Sequence, residues 1–420
     1  MQKKKIQHYL SYLALRSFFY LISLLPYAFL HKLGEKLGVI LFFTVKKYRK
    51  RTLSNLKLAT DLIINPKELI PLAKKSLGNL AITCLEYGKL AKENQIENIV
   101  QCINPLEAKK ILSTGKGVIF LCAHQANWEL FFLEGTSRMP GVAIGQPVKN
   151  TYLYNWILSI REKFGGKIVL PNQAVKEGLR ALKQGKFLGI VGDQGMPGSG
   201  FSSPFLGREA WTSPLPALLS YRSGCPIITA TMTRENGKYF IHYSDPIWPV
   251  QSTPSAEEIP NLMKKALLPL EDSIKKTPSQ WLWQHNRWKQ QLLGRVKKNY
   301  RQDAIAVLLP KNTMENENLK QLLQTFKEIY PLELLAFFSP IALKMEGIEE
   351  HLYQEYNEIE VLDYRYKLVF NFSGEESLSK HFLQLAALKA VNAKELSKEA
   401  NLPVNTPLPK LLKEVLLYAH

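Results

Sequence analysis

Apolar positions in the first fifty residues fall into two runs broken by charge. Between Arg16 and His31 lie fourteen uncharged residues, Ser17 to Leu30. A second run, Leu37 to Val45, ends on the basic cluster Lys46, Lys47, Arg49, Lys50 and Arg51. A spanning helix needs about 20 apolar residues, and neither run reaches that alone. With Arg16 snorkelling, Ile6 to Leu30 is just long enough to span, with Pro26 kinking its end. The tyrosines Tyr9, Tyr12, Tyr20 and Tyr27 and the flanking cations fit helices lying in a headgroup layer equally well. A buried amphipathic helix pair is the third pattern that such runs take. No small-residue cleavage site follows the run, which argues against a removable signal peptide. The expectation is a membrane-associated helical segment over residues 1–51, spanning or interfacial.

From Asn104 onward the pattern alternates between strand-like and helix-like segments. Candidate strands are Gly117–Ala123, Gly141–Gly145, Lys167–Leu170, Phe187–Gly192, Pro226–Thr233 and Tyr239–Tyr243, with helical periods over Leu153–Phe164 and Gln173–Gln184. This alternation predicts a layered α/β domain over 52–295, with its chemistry at strand ends and in the loops after them. A basic linker, Arg295 to Arg301, then leads into a second α/β pattern. Its expected strands are Ala304–Leu309, Leu332–Phe338, Ile359–Leu362 and Leu368–Phe372, and its expected helices Asn318–Ile329 and Ser377–Leu388. The fold class is therefore α/β throughout, with a smaller C-terminal α/β domain over 302–420.

Charge changes this picture. The net charge is +19, but residues 1–51 carry eleven Lys/Arg against one acid, Glu35, whereas residues 300–420 carry thirteen against seventeen Asp/Glu. The basic front therefore faces something anionic, and the acidic tail does not share that role. No helix-turn-helix pattern, zinc-finger spacing or aromatic RNA-binding strand favours nucleic acid, which leaves anionic lipid. The four cysteines, Cys84, Cys102, Cys122 and Cys225, have no paired spacing and read as buried thiols rather than as disulfides or a metal site.

Candidate chemistry begins at His124, where the apolar run Val118 to Cys122 ends. Glu129 follows five residues later, in the first turn of an expected helix. A strand-end histidine with an acid nearby is suited to removing a proton from a hydroxyl, the acid fixing the ring and stabilising its charged form. A strand-end histidine is also a common structural residue. Lys149, Asn150 and Arg161 flank the next helix and are candidates for binding an anionic group, or else lie on a solvated face. Gly192-Asp193-Gln194-Gly195 ends a strand in an acid followed by a glycine-rich loop. Next come Pro204-Phe205-Leu206-Gly207-Arg208 and, finally, Pro278 to Lys289, with three tryptophans in twelve residues. Tryptophan this dense marks either a docking edge or a core.

In this order, over roughly residues 8–295, these pieces resemble the lipid A biosynthesis lauroyl/myristoyl acyltransferases. The matching segments are Lys-Tyr-Arg-Lys-Arg with Asn55-Leu56, His124 to Glu129, Lys149-Asn150 through Arg161 to Gly165, and Asp193-Gln194. Also matching are Phe205-Leu206-Gly207 to Thr212, Gly224-Cys225-Pro226-Ile227 and Gln280 to Lys289. The resemblance implies transfer of a fatty acyl chain from acyl carrier protein to a hydroxyl of a Kdo-linked lipid A precursor, at the cytoplasmic face of a bacterial inner membrane. It implies His124 as base and Glu129 as its orienting partner, with Arg161 contacting phosphate or donor. Lys149, Asn150, Asp193, Gln194 and Arg208 join Arg161 as substrate-binding residues. No cofactor or metal is implied. Two positions depart from the pattern: Gly195 stands where a second acid is frequent, and Lys149 where arginine is common. The residues leave open a CoA ester as donor, a lysophospholipid or glycolipid as acceptor, and a non-catalytic lipid-binding scaffold. The C-terminal segment is faintly similar to half of a heptosyltransferase-type Rossmann domain and reads as an appended interaction or regulatory unit.

Overall fold

The computed structural model describes residues 2–288, 295–312 and 316–417. Lys289, which closes the tryptophan-rich motif, and Gly294 lie outside these. Four helices come first: α1 (Gln2–Ser23), α2 (Tyr27–Thr44), α3 (Lys46–Leu58) and α4 (Pro66–Leu90). Pro26 ends the α1 path and opens α2, so the apolar runs form two helices rather than one. No described helix is long and apolar enough to cross a membrane. The outer faces still carry exposed Leu10, Phe18, Leu21, Leu24, Ile40 and Phe43. α2 crosses α4 closely because glycines meet there: a Cβ on Gly38 would lie 2.2 Å from the Gly78 nitrogen. α4 starts on Asn65, whose side chain accepts the Lys67 N–H, with Pro66 at the first helical position.

The sheet domain follows as β1 (Val100–Cys102), α5 (Leu106–Ser113), β2 (Val118–Cys122), α6 (Glu129–Arg138), β3 (Gly141–Ile144), α7 (Thr151–Arg161) and β4 (Lys167–Val169). It continues through α8 (Ala174–Lys183), β5 (Phe187–Val191), the hairpin β6 (Phe201–Phe205) and β7 (Arg208–Thr212), and α9 (Leu215–Ser223). It closes with β8 (Ile227–Glu235), β9 (Lys238–Tyr243) and α10 (Ser255–Lys276). Its seven strands run in the order β1-β9-β8-β2-β5-β3-β4, parallel except where β8 meets β9. β2 lies at the centre and all five of its residues are buried, as a parallel strand covered on both faces must be. One core joins Phe42, Leu53 and Leu77 of the helices to Ile119, Leu121 and Leu188 of the sheet and to Trp281, Trp283 and Trp288. The three tryptophans are therefore core, not an exposed docking edge.

The C-terminal unit comprises β10 (Ala304–Leu308), α11 (Asn316–Ile329), β11 (Leu334–Ser339), β12 (Glu349–Leu352), β13 (Leu368–Asn371), α12 (Glu376–Leu385), β14 (Lys389–Asn392), α13 (Ala393–Ala400) and α14 (Leu408–Leu416). Its sheet is wholly parallel, in the order β12-β11-β10-β13-β14. The strand expected at Ile359–Leu362 is absent. Glu355 and Glu358 form a capping box that turns Tyr356–Ile359 into a 3₁₀ helix, and Leu362 is 76% exposed. The edge position belongs instead to β12, a polar strand whose Glu349 is clamped by Arg365.

A buried ion pair at the N-terminal edge of the C-terminal sheet reaches α3. Lys367 Nζ lies 2.7 Å from Asp303 Oδ1 and also donates to Asn55 Oδ1 of α3 at 2.8 Å. The Ser54 hydroxyl donates to the Arg365 carbonyl at 2.6 Å across the same seam.

Candidate active site

The register of the sheet builds the site. β2 and β5 are parallel neighbours with Cys122 opposite Val191. Two residues beyond each strand end stand His124 and Asp193, so the sheet brings them side by side. His124 Nδ1 lies 2.7 Å from Asp193 Oδ1, and the His124 backbone N–H donates to Oδ2 at 2.8 Å. The indole N–H of Trp281 donates to the same oxygen at 2.7 Å. Burial alone would raise the carboxyl of Asp193, but the charge and hydrogen bonds of His124 hold it well below the usual carboxylate range. An ionised Asp193 assigns the Nδ1 proton to His124 as donor and leaves Nε2 on the open side, where the Gln194 amide nitrogen stands 3.4 Å away.

The loop after His124 is held in a strained form. Ala126 has φ 49°, a left-handed conformation that costs a non-glycine residue about 1–3 kcal/mol. The surroundings enforce it. The Ala126 N–H donates to the Gln280 carbonyl at 2.7 Å, its carbonyl accepts from Asn79 and Thr83, and Leu282 N–H donates to the His124 carbonyl at 3.0 Å. Asn127 donates to Glu86 at 2.6 Å, and Glu86 also binds His31 and Tyr239. Asn55 of α3 in turn donates to the carbonyls of Trp283 and His285. The tryptophan-rich segment is thus fastened on one side to the helices and on the other to the histidine loop.

Glu129 does not hold the histidine. It begins α6, is buried, and binds Arg161 with both oxygens, at 2.7 Å from Nε and 2.6 Å from Nη2. Burial works to raise its carboxyl, but the Arg161 charge and hydrogen bonds outweigh that and pull it down. The acid on Nδ1 of His124 is Asp193, not the expected Glu129. The reason is geometric: β5 presents its acid directly beside β2, whereas Glu129 has been carried into α6, facing α7. Arg161 correspondingly has two of its nitrogens committed to Glu129.

The remaining expected residues separate. Asn150 caps α7, accepting the N–H groups of Tyr152 and Leu153, and its amide nitrogen donates to the His8 carbonyl of α1. Both ends of its amide therefore serve the fold. Lys149 is exposed beside it. Arg208 donates to the Asp303 carbonyl at 3.0 Å, in the seam with the C-terminal sheet, and is not brought to His124. Gln194 is at the histidine.

Three neighbours of His124 carry further weight. The ring of Trp128 lies 5.1 Å from the His124 ring and lines a narrow apolar slot with Phe131, Phe132, Ala143, Phe187 and Gly189. Cys122 is buried; burial first, and then the charge of Asp193, keep its thiol well above the ordinary range and protonated, so it is not a nucleophile. His285, 6.0 Å from the His124 ring, has both ring nitrogens buried and without a hydrogen-bond partner. Burial lowers its pKa to about 4 against the opposing pull of Asp193. Among the described residues, no group of three or more His, Cys, Asp or Glu side chains is placed to hold a metal ion.

A strand-end imidazole with an acid on Nδ1, an Nε2 faced only by the Gln194 amide at 3.4 Å and an apolar slot alongside is suited to activating a hydroxyl next to a hydrocarbon chain. Residues 1–290 match the bacterial lipid A biosynthesis acyltransferase family. The chain belongs to this family. No individually curated protein matches it. As a lipid A biosynthesis acyltransferase it acts on a lipid A precursor. The family match ends before the second sheet, so the unit from Ala304 onward is an addition to the matched region.

Proposed function

We propose that the enzyme moves a fatty acyl chain from the thioester of acyl carrier protein to a hydroxyl of a lipid A precursor, with His124 as general base. The observation that carries the reading is the Asp193–His124 pair: its Nδ1 side is fixed by a buried carboxylate and its Nε2 side is open. His124 Nε2 takes the proton of the acceptor hydroxyl as the oxygen attacks the thioester carbonyl. A C–O bond forms and, on collapse, the C–S bond breaks. The imidazolium, stabilised by Asp193, returns the proton to the leaving thiolate. The slot behind Trp128 takes the acyl chain, and the Gln194 amide, 3.4 Å from Nε2, donates to the developing oxyanion in this reading.

The intact pair speaks against a scaffold without activity, and the exposed apolar faces of α1 and α2 support association with a lipid surface. The cytoplasmic face of the inner membrane is the side where the carrier thioester would meet the precursor. The acceptor is tested by mass spectrometry of lipid A from cells with and without this gene. Loss of one acyl chain from lipid A is expected in its absence. An unchanged lipid A with an altered phospholipid acyl pattern would move the activity to a lysophospholipid. Purified enzyme given acyl-carrier and CoA thioesters of the same chain separates the two donors, and preference for the carrier thioester is expected.

A further inference from the structure

A second cleft lies where α3, the tryptophan-rich segment, the linker and the C-terminal sheet meet, with a volume of about 880 Å³. α3 contributes Lys46, Lys47, Lys50 and Arg51 to its lining. Lys298 and Arg301 come from the linker and Lys389 from β14, and no carboxylate lines it. Some of these cations are fixed by the fold: Lys50 donates to the Ala387 carbonyl at 2.6 Å, and Lys389 lies 3.5 Å from Glu399. Lys46, Lys47, Arg51 and Lys298 form no ion pair among the described residues. Like charges facing one cleft repel unless an anion joins them. His285, with neither ring nitrogen hydrogen-bonded, lines the same cleft.

The helix that leads into α3 points to the ligand. The last turns of α2 expose Val39, Ile40 and Phe43, and Phe43, four and three residues after the other two, shares their side of the helix just before Lys46. An apolar stripe running into a cluster of cations matches a lipid, whose chains take the first and whose anionic headgroup takes the second. We propose that this cleft binds the phosphate of a lipid headgroup, and that the linker and the C-terminal domain, through Lys298 and Lys389, complete a site begun by α3. The site lies beside the catalytic histidine through His285, yet binding there does not require the chemistry at His124.

The test uses the full-length protein and vesicles of phosphatidylcholine with or without phosphatidic acid. Lys46→Ala, Lys47→Ala and Lys298→Ala are combined; all three side chains are exposed and form no ion pair among the described residues, so the fold is expected to be kept, which the unfolding transition checks. A control removes the same charge elsewhere, at Lys109, Lys176 and Lys183. Wild type, the control and His124→Ala are expected to bind the acidic vesicles alike, and the cleft variant roughly a hundredfold more weakly, about the contribution of three cations near an anionic surface. Equal weakening by cleft and control variants would reduce the effect to diffuse charge and overturn the site. Saturation of the cleft by soluble pyrophosphate without any preference for acidic vesicles would overturn the lipid assignment. So would loss of binding to an acidic carrier protein while vesicle binding stayed intact.

Discussion

Asp193 lies 2.7 Å from Nδ1 of His124, while Glu129, five residues after the histidine, binds Arg161 instead. This exchange of acids sets the expected behaviour of the two carboxylates. Asp193→Asn keeps the shape of the site but lets the imidazole adopt the wrong tautomer. Acyl transfer should then fall by on the order of 10³–10⁴-fold in kcat, with little change in acceptor KM. Steady-state kinetics against both substrates checks this, and a loss confined to KM would contradict it.

Glu129 acts through Arg161. Removing one member of a buried, bidentate pair leaves the other uncompensated, at a cost of about 3–5 kcal/mol. Glu129→Ala should therefore lower the urea midpoint as well as activity. The neutral pair Glu129→Gln with Arg161→Met should recover much of the stability without recovering transfer, if Arg161 also contacts an anionic group of a substrate. Full recovery of both would make the pair purely structural.

How far the sequence reveals this site follows from where the signals lie. The motif at His124 and the strand-end Asp193 are each visible along the chain, as is the density of tryptophans at Trp281. Their meeting is not, because it depends on β2 and β5 being neighbours, with β3 and its helix between them in sequence but outside them in the sheet. Spacing alone favours Glu129, the nearer acid. Asn150 shows the opposite failure: a polar residue before a helix reads as ligand-binding, although capping is what such a residue commonly does. In the C-terminal sheet, β12 escapes the apolar pattern because its edge residues are acids, Glu349 paired with Arg365 and Glu350 accepting the N–H groups of Leu343 and Met345, whereas Val361 and Leu362 imitate a strand on the surface.

Acid should act on this protein through His285 first. Its folded pKa is lowered to about 4 by burial, against about 6.5 in an unfolded chain. At His285 the unfolded state therefore binds more protons across that window, and this group's contribution falls as pH drops from about 6.5 to about 4, by about 3 kcal/mol. Glu333, whose carboxyl burial raises to about 7, contributes the opposite slope over the upper part of the window. Asp193 and Glu129, both held below the ordinary carboxylate range, add losses only further down. Chemical denaturation at a series of pH values should show wild type losing stability relative to His285→Asn as pH falls from about 6.5 to about 4. An unchanged slope in the variant would place the proton elsewhere.

Chain length should be set in the slot behind Trp128. A Cβ on Gly189 would lie 3.4 Å from the Cβ of Ala143, so the slot is narrow at this level. Ala143→Leu adds three carbons at the same level. It should shift the preferred donor to shorter acyl chains, each lost methylene contributing about 0.8 kcal/mol of apolar burial. Competition between donors of different length measures the shift, and an unaltered preference would put the chain outside the slot.

The most direct test is single-turnover transfer of a labelled acyl chain from purified carrier thioester to a purified lipid A precursor. Wild type, His124→Ala and Asp193→Asn are compared, with the fold of each variant verified by its unfolding transition. The account predicts ester product from wild type and a loss of 10²–10⁴-fold or more in both variants. Ester formation at the wild-type rate by folded His124→Ala would contradict it.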